Sequence, residues 1–369
     1  MEAITGTIDG REFSGTPGMT ILEVARQLDI EIPTLCNRDD LKPSGNCRIC
    51  VVELEGQDKL VGSCHTPISA GMRVLTHSHK VVEARKVIVE LILTSHTGPC
   101  MSDMAARECS VHRLAADIEA GAPRFQVKEP RFYPVEMLSP YVRRDMSRCI
   151  LCRNCVRACN EIAGQNVLSM AYRGFSSKVV VDCDKPLNKE VCKDCGICVS
   201  YCPTSALMFP DGTKGDAPRL EPLAKGPYRQ DQVHGKQAEL LTMLISEKRD
   251  NGQITPDAIE HIASSVDLSV GDVYGVANFY AFLGTRTSGK NVIRICKSLP
   301  CYMQHAQLII DSVRETLGIK PGETTSDGKF SFELTNCVGA CDQAPAMLIN
   351  DDLYGNLTAE KISSILKSF

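Results

Sequence analysis

The pattern of apolar and polar residues divides the beginning of the chain into short strands around one helix. Two strand-like runs flank Asp9-Gly10, a dipeptide that favours a tight hairpin turn. Thr20 precedes apolar residues at helical spacing and Glu23 follows three residues later, which predicts a capping box at a helix start. Further strands are predicted over residues 50–54, 59–64 and 72–76. The pattern therefore predicts a small α+β domain over residues 1–78, in which a sheet packs on a helix.

The remaining pattern contains helical, mixed and linker-like stretches. Apolar residues at helical spacing predict a helix over residues 80–95. Pro and Gly are dense from Pro210 to Gln232, which indicates a linker. The last part is predicted to contain helices over 236–283, a strand over 291–296, a helix over 303–317, strands around Asp327-Gly328 and a final helix from Ala359. Six segments are expected in all: 1–78, 79–140, 141–209, 210–235, 236–290 and 291–369.

Length and charge limit the classes of function that the chain can serve. Its 369 residues exceed one ordinary core and predict several domains. A formal net charge of −4 gives no support to a nucleic-acid partner or a polybasic membrane binder. The best apolar run, over residues 87–93, is interrupted by Glu90 and is too short to cross a bilayer. The N-terminal residues also lack an export-like segment, so a cytoplasmic location is expected.

Cysteine is the outlier of the composition, with 19 among 369 residues. A chain of this size does not need disulfides to fold, and an intracellular chain keeps its thiols reduced. Two runs with the spacing C-x2-C-x2-C-x3-C lie within residues 141–209. In such a run three thiolates reach one cubane and the fourth serves the other cluster, so two [4Fe–4S] clusters are expected. The predicted ligands are Cys149, Cys152, Cys155 and Cys202 for one cluster, and Cys192, Cys195, Cys198 and Cys159 for the other. Zinc is the alternative, although zinc ribbons use two separated pairs of cysteines.

Two further groups of four cysteines have spacings that suit planar [2Fe–2S] clusters. The first group follows C-x10-C-x2-C-x13-C, and the second begins with two cysteines separated by four residues. Zinc is the alternative for the first group. Two disulfides are the alternative for the second, which a reducing compartment disfavours. The predicted ligands are Cys36, Cys47, Cys50 and Cys64 for the first group, and Cys296, Cys301, Cys337 and Cys341 for the second.

Five residues that could bind a metal fall outside these groups. Cys183 fits no spacing and is expected to be a packed, unligated thiol. His96, Cys100, Asp103 and Cys109 follow H-x3-C-x2-D-x5-C after the predicted helix, which suggests a further cluster with imidazole and carboxylate ligands. The alternative is a helix end followed by a loop, in which His96 complements the helix dipole and Asp103 faces solvent.

Taken together, these motifs resemble the NADH-input module of respiratory complex I and its cytoplasmic relatives, which include NAD-linked [FeFe]-hydrogenases, formate dehydrogenases and electron-bifurcating enzymes. Residues 1–209 resemble the N-terminal part of the large iron–sulfur subunit, and residues 236–369 resemble the small iron–sulfur subunit, here fused to it. The motifs are His96-Thr-Gly-Pro-Cys100, Cys149-Ile-Leu-Cys152-Arg-Asn-Cys155, Val273-Tyr-Gly-Val-Ala-Asn-Phe-Tyr280, Cys296-Lys-Ser-Leu-Pro-Cys301 and Cys337-Val-Gly-Ala-Cys341. Asp103 departs from the family, which has cysteine at that position.

The resemblance implies an α+β multidomain fold. Its parts are a β-grasp ferredoxin domain, a helical segment with the His/Cys site, a bacterial-type two-[4Fe–4S] ferredoxin domain, and a small helical domain followed by a thioredoxin-like α/β domain. The thioredoxin-like part would carry the second [2Fe–2S] cluster.

The chain has no motif for binding a nucleotide or flavin and no recognisable set of catalytic residues. No G-x-G-x-x-G run opens a helix after a strand. The nearest phosphate-like run, residues 284–291, precedes a predicted strand and has Asn291 where a P-loop needs Ser or Thr. The resemblance implies an electron relay between a partner flavoprotein, which carries FMN and NAD(P), and a further redox subunit or soluble ferredoxin in a hetero-oligomer. The alternatives are a stand-alone multicluster ferredoxin or redox sensor, and a zinc scaffold.

Overall fold

The computed structural model describes residues 3–96, 109–125, 131–187, 192, 195–213, 230–280, 282–283, 285 and 289–369. The chain divides into two units. The first consists of Met1–Ala238 and Ala263–Phe279, and the second of Glu239–Ile262 and Tyr280–Phe369. Among the described helices, none combines the length and the apolar character that crossing a membrane requires.

A mixed five-stranded sheet and one helix form the beginning of the first unit. The elements are β1 (Ile4–Ile8), β2 (Arg11–Gly15), α1 (Ile21–Gln27), β3 (Val51–Leu54), β4 (Val61–Gly62) and β5 (Met72–Leu75). The strand order is β2-β1-β5-β3-β4, with β1 parallel to β5 and the other neighbours antiparallel. Ile21 and Val24 of α1 share a buried core with Ile8, Val52 and Val74 of the sheet. All strands predicted for this region are present, and the helix packs on the sheet.

The predicted hairpin and capping box are both confirmed. Asp9 and Gly10 have φ values of 48° and 78° between β1 and β2, as a tight two-residue turn requires. The backbone N–H of Thr20 donates to Glu23 Oε2 at 2.6 Å, and Thr20 Oγ1 accepts from the Glu23 N–H at 3.3 Å. These reciprocal bonds satisfy two backbone N–H groups at the start of α1.

Two helices follow the sheet: α2 (His79–Ser95) and α3 (Ser110–Asp117). The first long helix of the prediction is therefore confirmed, and the Ser78 hydroxyl caps its first turn. Val89 of α2 and Val111 of α3 pack with Leu35 and Ile49 in one buried cluster. This cluster holds the loop before β3 against both helices.

The cysteine-rich region is built from two small ladders and two one-turn helices. The elements are β6 (Arg143–Arg144), α4 (Asn154–Arg157), β7 (Leu168–Ala171), β8 (Lys178–Val181), α5 (Ile197–Ser200) and β9 (Leu207–Met208). β6 pairs with β9 and β7 pairs with β8, both antiparallel. Arg153 precedes α4 and Gly196 precedes α5, and both have φ of 64°. Since the two residues occupy the same position in the two cysteine runs, the runs are duplicated in backbone shape as well as in spacing.

Three helices follow: α6 (Gln230–Asn251), α7 (Pro256–Val266) and α8 (Val270–Phe279). The helices predicted over 236–283 are confirmed. α6 begins inside the segment that is predicted to be a linker, because the dense Pro and Gly end at Pro227 and residues 230–251 contain no proline. Most of the predicted linker, residues 214–229, lies outside the described residues. Within the first unit, α8 packs on β7.

A four-stranded sheet with helices forms most of the second unit. The elements are β10 (Asn291–Cys296), α9 (Leu299–Met303), α10 (Ala306–Leu317), β11 (Phe330–Thr335), β12 (Met347–Ile349), β13 (Asp352–Tyr354) and α11 (Ala359–Lys367). The strand order is β11-β10-β12-β13, with β10 parallel to β11 and the other neighbours antiparallel. Ile293 and Phe332 of the sheet pack with Val313 of α10 and Ile362 of α11.

Two details of this sheet region differ from the prediction. The sequence predicts one helix over 303–317, but the structure has two, because His305 takes a left-handed φ of 64° and interrupts the helical run. The sequence also predicts strands on both sides of Asp327-Gly328, but only β11 forms, and a single isolated bridge precedes it. The predicted strand over 291–296 and the helix from Ala359 are confirmed.

Candidate metal centres

The four cysteines of the N-terminal group come together as two pairs. The thiols of Cys36 and Cys47 are hydrogen-bonded to each other. The thiols of Cys50 and Cys64 form a second such pair. Cys36, Cys50 and Cys64 are buried, and Cys47 is half-buried. Because each iron of a planar [2Fe–2S] cluster binds two thiolates, the arrangement fits one iron on each pair.

The hydrogen bonds move the thiol pKa values apart within each pair. The bond with Cys47 lowers the pKa of Cys36 to about 5, and the bond with Cys64 lowers the pKa of Cys50 to about 6. The same bonds, followed by burial, raise the pKa of Cys47 and of Cys64. A metal ion bound at these pairs would displace their protons, since the thiolate is the form that binds metal.

The cysteines of the two runs divide between two places, and each place draws on both runs. Burial, followed by negative charge on Cys202, raises the pKa of Cys152. Burial, followed by negative charge on Cys159, raises the pKa of Cys198. The last cysteine of each run is thus near the other run, as the crossed ligand sets predict. Burial also disfavours thiolates, so these places need a cation for their thiols to ionise.

Hydrogen bonds join the loop of the N-terminal group to the first cysteine run. Asn46 Nδ2 donates to the carbonyl oxygen of Cys152 at 3.3 Å. Asn154 Nδ2 donates to the carbonyl oxygen of Leu35 at 3.2 Å. The Arg157 guanidinium donates to the carbonyl oxygen of Cys36 at 2.5 Å. The backbone that carries Cys36 and the backbone that carries Cys152 are therefore held directly against each other.

The C-terminal group also comes together as two pairs. Cys296 is the last residue of β10, and its thiol is hydrogen-bonded to Cys301 of α9. Cys337 and Cys341 are exposed after β11, with their sulfur atoms 3.6 Å apart. That separation is well beyond the disulfide bond length of about 2.05 Å. The four thiols are not joined in disulfides in this structure, and their number is the one that a [2Fe–2S] cluster needs.

Several polar groups reach the sulfur atoms and would tune a bound cluster. The Leu151 N–H donates to Cys149 Sγ at 3.4 Å, and the Gly339 N–H donates to Cys337 Sγ at 3.3 Å. His65 Nδ1 lies 3.5 Å from Cys64 Sγ. Hydrogen bonds to the sulfurs are one of the factors that set cluster potentials. The sequence does not single out His65, because His65 fits no spacing that is typical of metal ligands. The one signal was its position directly after Cys64, a predicted ligand.

The predicted site after α2 is described in part. Cys100 and Asp103 lie outside the described residues. His96 and Cys109 are both buried, and Cys109 Sγ lies 3.5 Å from His96 Nε2. His112, in the first turn of α3, joins them, and the sequence analysis missed it. The available signal was its spacing of three residues from Cys109.

Cys183 lies in the turn after β8 and is half-buried, and it belongs to none of the predicted ligand sets. No further role is assigned to it.

Three parts of the chain match models of known domain families. Residues 1–79 match a 2Fe-2S iron-sulfur cluster binding domain. Residues 139–208 match the ferredoxin-like domain of NADH-quinone oxidoreductase subunit 3. Residues 228–369 match the thioredoxin-like [2Fe-2S] ferredoxin. The chain is therefore an iron–sulfur protein of mixed α/β structure, with ferredoxin-like and thioredoxin-like domains.

Several curated proteins that are similar to the chain are subunits of oxidoreductases. The NADP-reducing hydrogenase subunit HndD of Solidesulfovibrio fructosivorans is 39% identical over 219 residues, which are 56% of this chain and 36% of that protein. The mitochondrial 78 kDa subunit of NADH-ubiquinone oxidoreductase of Candida albicans is 32% identical over 202 residues, which are 54% of this chain and 28% of that protein. The resemblance to the iron–sulfur subunits of NADH-input modules is confirmed by these matches.

The similarity covers only part of the relatives. The chain spans about a third or less of the length of the curated relatives named above. A solved structure of an NAD+-reducing [NiFe]-hydrogenase in the H2-reduced state is 27% identical, with a TM-score of 0.49, over 56% of this chain and 87% of that chain. The domain assignment rests on the family models and the curated relatives.

Proposed function

We propose that the chain relays electrons, one at a time, between a partner flavoprotein that binds FMN and NAD(P) and a further redox partner. The further partner would be a ferredoxin, a hydrogenase, a formate dehydrogenase or a transhydrogenase subunit. The observation that carries this proposal is the direct hydrogen bonding between the Cys36 loop and the Cys152 segment. It supports two cluster sites held at a fixed, short separation, as electron transfer between them requires.

Four clusters would form the relay. Each set of thiols fits its cluster in number and chemistry, because the cysteine thiolate is the usual ligand of iron–sulfur clusters. The proposed [2Fe–2S] ligands are Cys36, Cys47, Cys50 and Cys64 for one cluster, and Cys296, Cys301, Cys337 and Cys341 for the other. The proposed [4Fe–4S] ligands are Cys149, Cys152, Cys155 and Cys202, and Cys192, Cys195, Cys198 and Cys159. The clusters would supply one-electron chemistry, and the chain would set their potentials through burial and hydrogen bonds to sulfur.

An exposed apolar surface beside the last cluster site supports a docking partner. Leu299, Tyr302 and Met303 of α9 are 68%, 65% and 69% exposed, and Cys301 lies among them. Apolar side chains of this size that remain exposed next to a functional site are typical of interaction surfaces. We assign this α9 surface to the flavoprotein, because electrons from a flavin need a short path to the Cys301 cluster.

Reconstitution tests the proposal. The purified, flavin-free chain should not reduce viologen dyes with NADH or NADPH, and activity should appear when the flavoprotein subunit is added. Met303→Asp should weaken that activity by raising the concentration of flavoprotein needed. Leu353→Asp changes an exposed leucine of β13 and serves as the control.

Two outcomes would contradict the relay. Reduction of dyes by NADH with the flavin-free chain alone would place a nucleotide site on this chain. Dependence on a soluble electron donor, with no response to any flavoprotein, would favour the alternative of a stand-alone ferredoxin or redox sensor. The many thiols of the chain also lead us to propose a reducing, cytoplasmic location.

A further inference from the structure

His96, Cys109 and His112 meet where α2 ends and α3 begins. His96 follows the last residue of α2, Cys109 immediately precedes α3, and His112 lies in the first turn of α3. One possible ligand atom from each side chain lies within 4.8 Å of the other two. Two imidazoles and one thiol are the kinds of donor that zinc prefers, and here they lie close enough together to hold one ion.

The spacing of the donor atoms fits a single ion. A tetrahedral ion bound at about 2.0–2.1 Å to nitrogen and about 2.3 Å to sulfur keeps its ligand atoms roughly 3.3–3.7 Å apart. Cys109 Sγ and His96 Nε2 are 3.5 Å apart, within that range. In a four-iron cubane each ligand binds a different iron, so its ligand atoms stand farther apart. The geometry therefore does not fit a four-iron cubane bound by His96 and Cys109.

His96 is already oriented to bind metal through Nε2. Its Nδ1 lies 2.9 Å from the carbonyl oxygen of Arg148. A carbonyl oxygen can only accept, so Nδ1 carries the hydrogen and the lone pair of Nε2 points towards Cys109. Metal-binding histidines characteristically donate their second ring N–H to a carbonyl or carboxylate in this way.

His112 has a ring nitrogen that an ion would satisfy. Its Nδ1 is buried, and the described part of the chain offers it no hydrogen-bond partner. Leaving a buried polar atom unpaired is unfavourable, so such an atom calls for an explanation. The rings of His96 and His112 are 5.3 Å apart and tilted by 50°. They are not stacked face to face, and a nitrogen of each ring lies within 4.8 Å of the other.

We propose that His96, Cys109 and His112 bind one divalent ion of the zinc type in place of a cluster. Imidazole and thiolate are the preferred zinc ligands, and the three described side chains would fill three of the four tetrahedral positions. The sequence is consistent with a different centre, because Asp103 stands where the family that the chain resembles has cysteine.

The ion would have a structural role beside the first [4Fe–4S] site. Zinc has no redox chemistry, so it would not take part in the relay. His96 is bonded to the carbonyl of Arg148, next to Cys149. The Ser110 N–H donates to the carbonyl of Pro203 at 2.9 Å, next to Cys202. The ion would thus fasten the ends of α2 and α3 to the backbone on both sides of that cluster.

Zinc retention by the full chain tests this inference. Anaerobically purified protein is incubated with one equivalent of Zn²⁺ and desalted, and its zinc and iron are then counted. We expect about one zinc per chain, and X-ray absorption at the zinc edge should find one sulfur at about 2.3 Å and two nitrogens at about 2.0 Å.

His112→Gln should lower the retained zinc more than about tenfold, because it removes a direct ligand. His79→Gln changes an exposed histidine at the other end of α2 and should retain zinc as the parent does. Cluster iron should be equal in all three proteins.

Three results would overturn the inference. Zinc coordinated only by sulfur would mean that it occupies cysteine cluster sites. Equal zinc in the parent and His112→Gln, or none in either, would remove His112 from the ligand set. Additional iron with an EPR signal that His96→Ala abolishes and His112→Gln leaves intact would restore the cluster. Zinc retention needs neither NAD(P)H nor a partner, so its failure and the failure of the proposed relay are distinguishable.

Discussion

Burial of the cysteine side chains works against the thiolate form that a cluster needs. At Cys155, burial and then the charges of Cys152 and Cys149 raise the pKa well above its ordinary value. The thiol therefore stays protonated at neutral pH unless a cation is bound, which couples loss of the proton to cluster binding. A serine hydroxyl at this position is harder to ionise than the thiol and is a poorer ligand for iron–sulfur chemistry.

Cys155→Ser should selectively damage one cubane. We expect the protein to lose about four iron atoms, or one [4Fe–4S] signal in the EPR spectrum of the reduced protein to change. The other cluster signals should stay intact. The matched control is Cys183→Ser, which changes a half-buried cysteine outside the predicted ligand sets. Loss of a cluster signal in the Cys183 variant, or an unchanged spectrum in the Cys155 variant, would contradict the proposed ligands.

The cysteines proposed as ligands could be selected from the sequence because cluster binding imposes characteristic spacings along the chain. His112 was missed because its spacing of three residues from Cys109 is a weak signal by itself, and its place beside His96 depends on how α2 and α3 pack. The same holds for the thiol–thiol pairing of Cys36 with Cys47, which the spacing alone leaves open.

Among the secondary structure elements, the contact between α8 and β7 is unusually close. Gly271 and Gly275 are four residues apart, so they share one face of α8. A Cβ atom at Gly271 would lie 2.7 Å from Ser169 Oγ, and one at Gly275 would overlap the carbonyl oxygen of Met170. Asp272 of the helix also accepts a hydrogen bond from Ser169 Oγ at 3.0 Å. Both glycines are therefore required for the helix to approach the strand.

Gly275→Ala should destabilise the protein, although alanine is normally the better helix former. In an exposed helix the change would stabilise by about 1 kcal/mol, whereas overpacking against Met170 should cost about 1–3 kcal/mol. The urea midpoint of the first unit, followed by the cluster absorbance, should therefore fall. Gly121→Ala is the control, because a Cβ there meets nothing within 4 Å. A raised midpoint for Gly275→Ala would mean that the two elements do not pack as described.

The same contact predicts a dependence of stability on alkaline pH. Tyr172 donates to Asp184 at 2.8 Å, and its hydroxyl is 3.0 Å from that of Tyr274 in α8. Burial, and then these two hydrogen bonds, raise the pKa of Tyr172. The pKa of Tyr172 in the folded protein exceeds its value of about 10 in the unfolded chain. The protonated Tyr172 therefore contributes fully to the free energy of unfolding below about pH 10, and this contribution is lost as the pH rises further. Tyr172→Phe should flatten the fall of the urea midpoint between about pH 9 and pH 11, whereas Tyr280→Phe should not. Equal slopes in both variants would contradict the assignment.

Elements were predictable where local sequence determines them. β10 is rich in β-branched residues (Val292, Ile293 and Ile295), and α1 has a complete capping box. The break between α9 and α10 was not predictable, because it depends on a left-handed conformation of His305, a residue that helices also accept. The start of α6 was missed because the composition that indicates a linker ends gradually.

For the whole molecule, the distribution of cluster sites agrees with a relay. The first unit carries the cysteines that we propose as ligands of one [2Fe–2S] and two [4Fe–4S] clusters, and its loops are joined by direct hydrogen bonds. The second unit carries the cysteines that we propose for the other [2Fe–2S] cluster, beside the exposed α9 surface. Since the chain spans about a third or less of its curated relatives, we assign hydride and substrate chemistry to partner subunits in this proposal.

Iron and acid-labile sulfide analysis of the anaerobically purified chain tests the central claim most directly. Two [2Fe–2S] and two [4Fe–4S] clusters predict about 12 iron atoms and about 12 sulfides per chain, with signals of both cluster types in the reduced EPR spectrum. A chain that contains zinc at the four cysteine sets, with little iron and no labile sulfide, would contradict the relay.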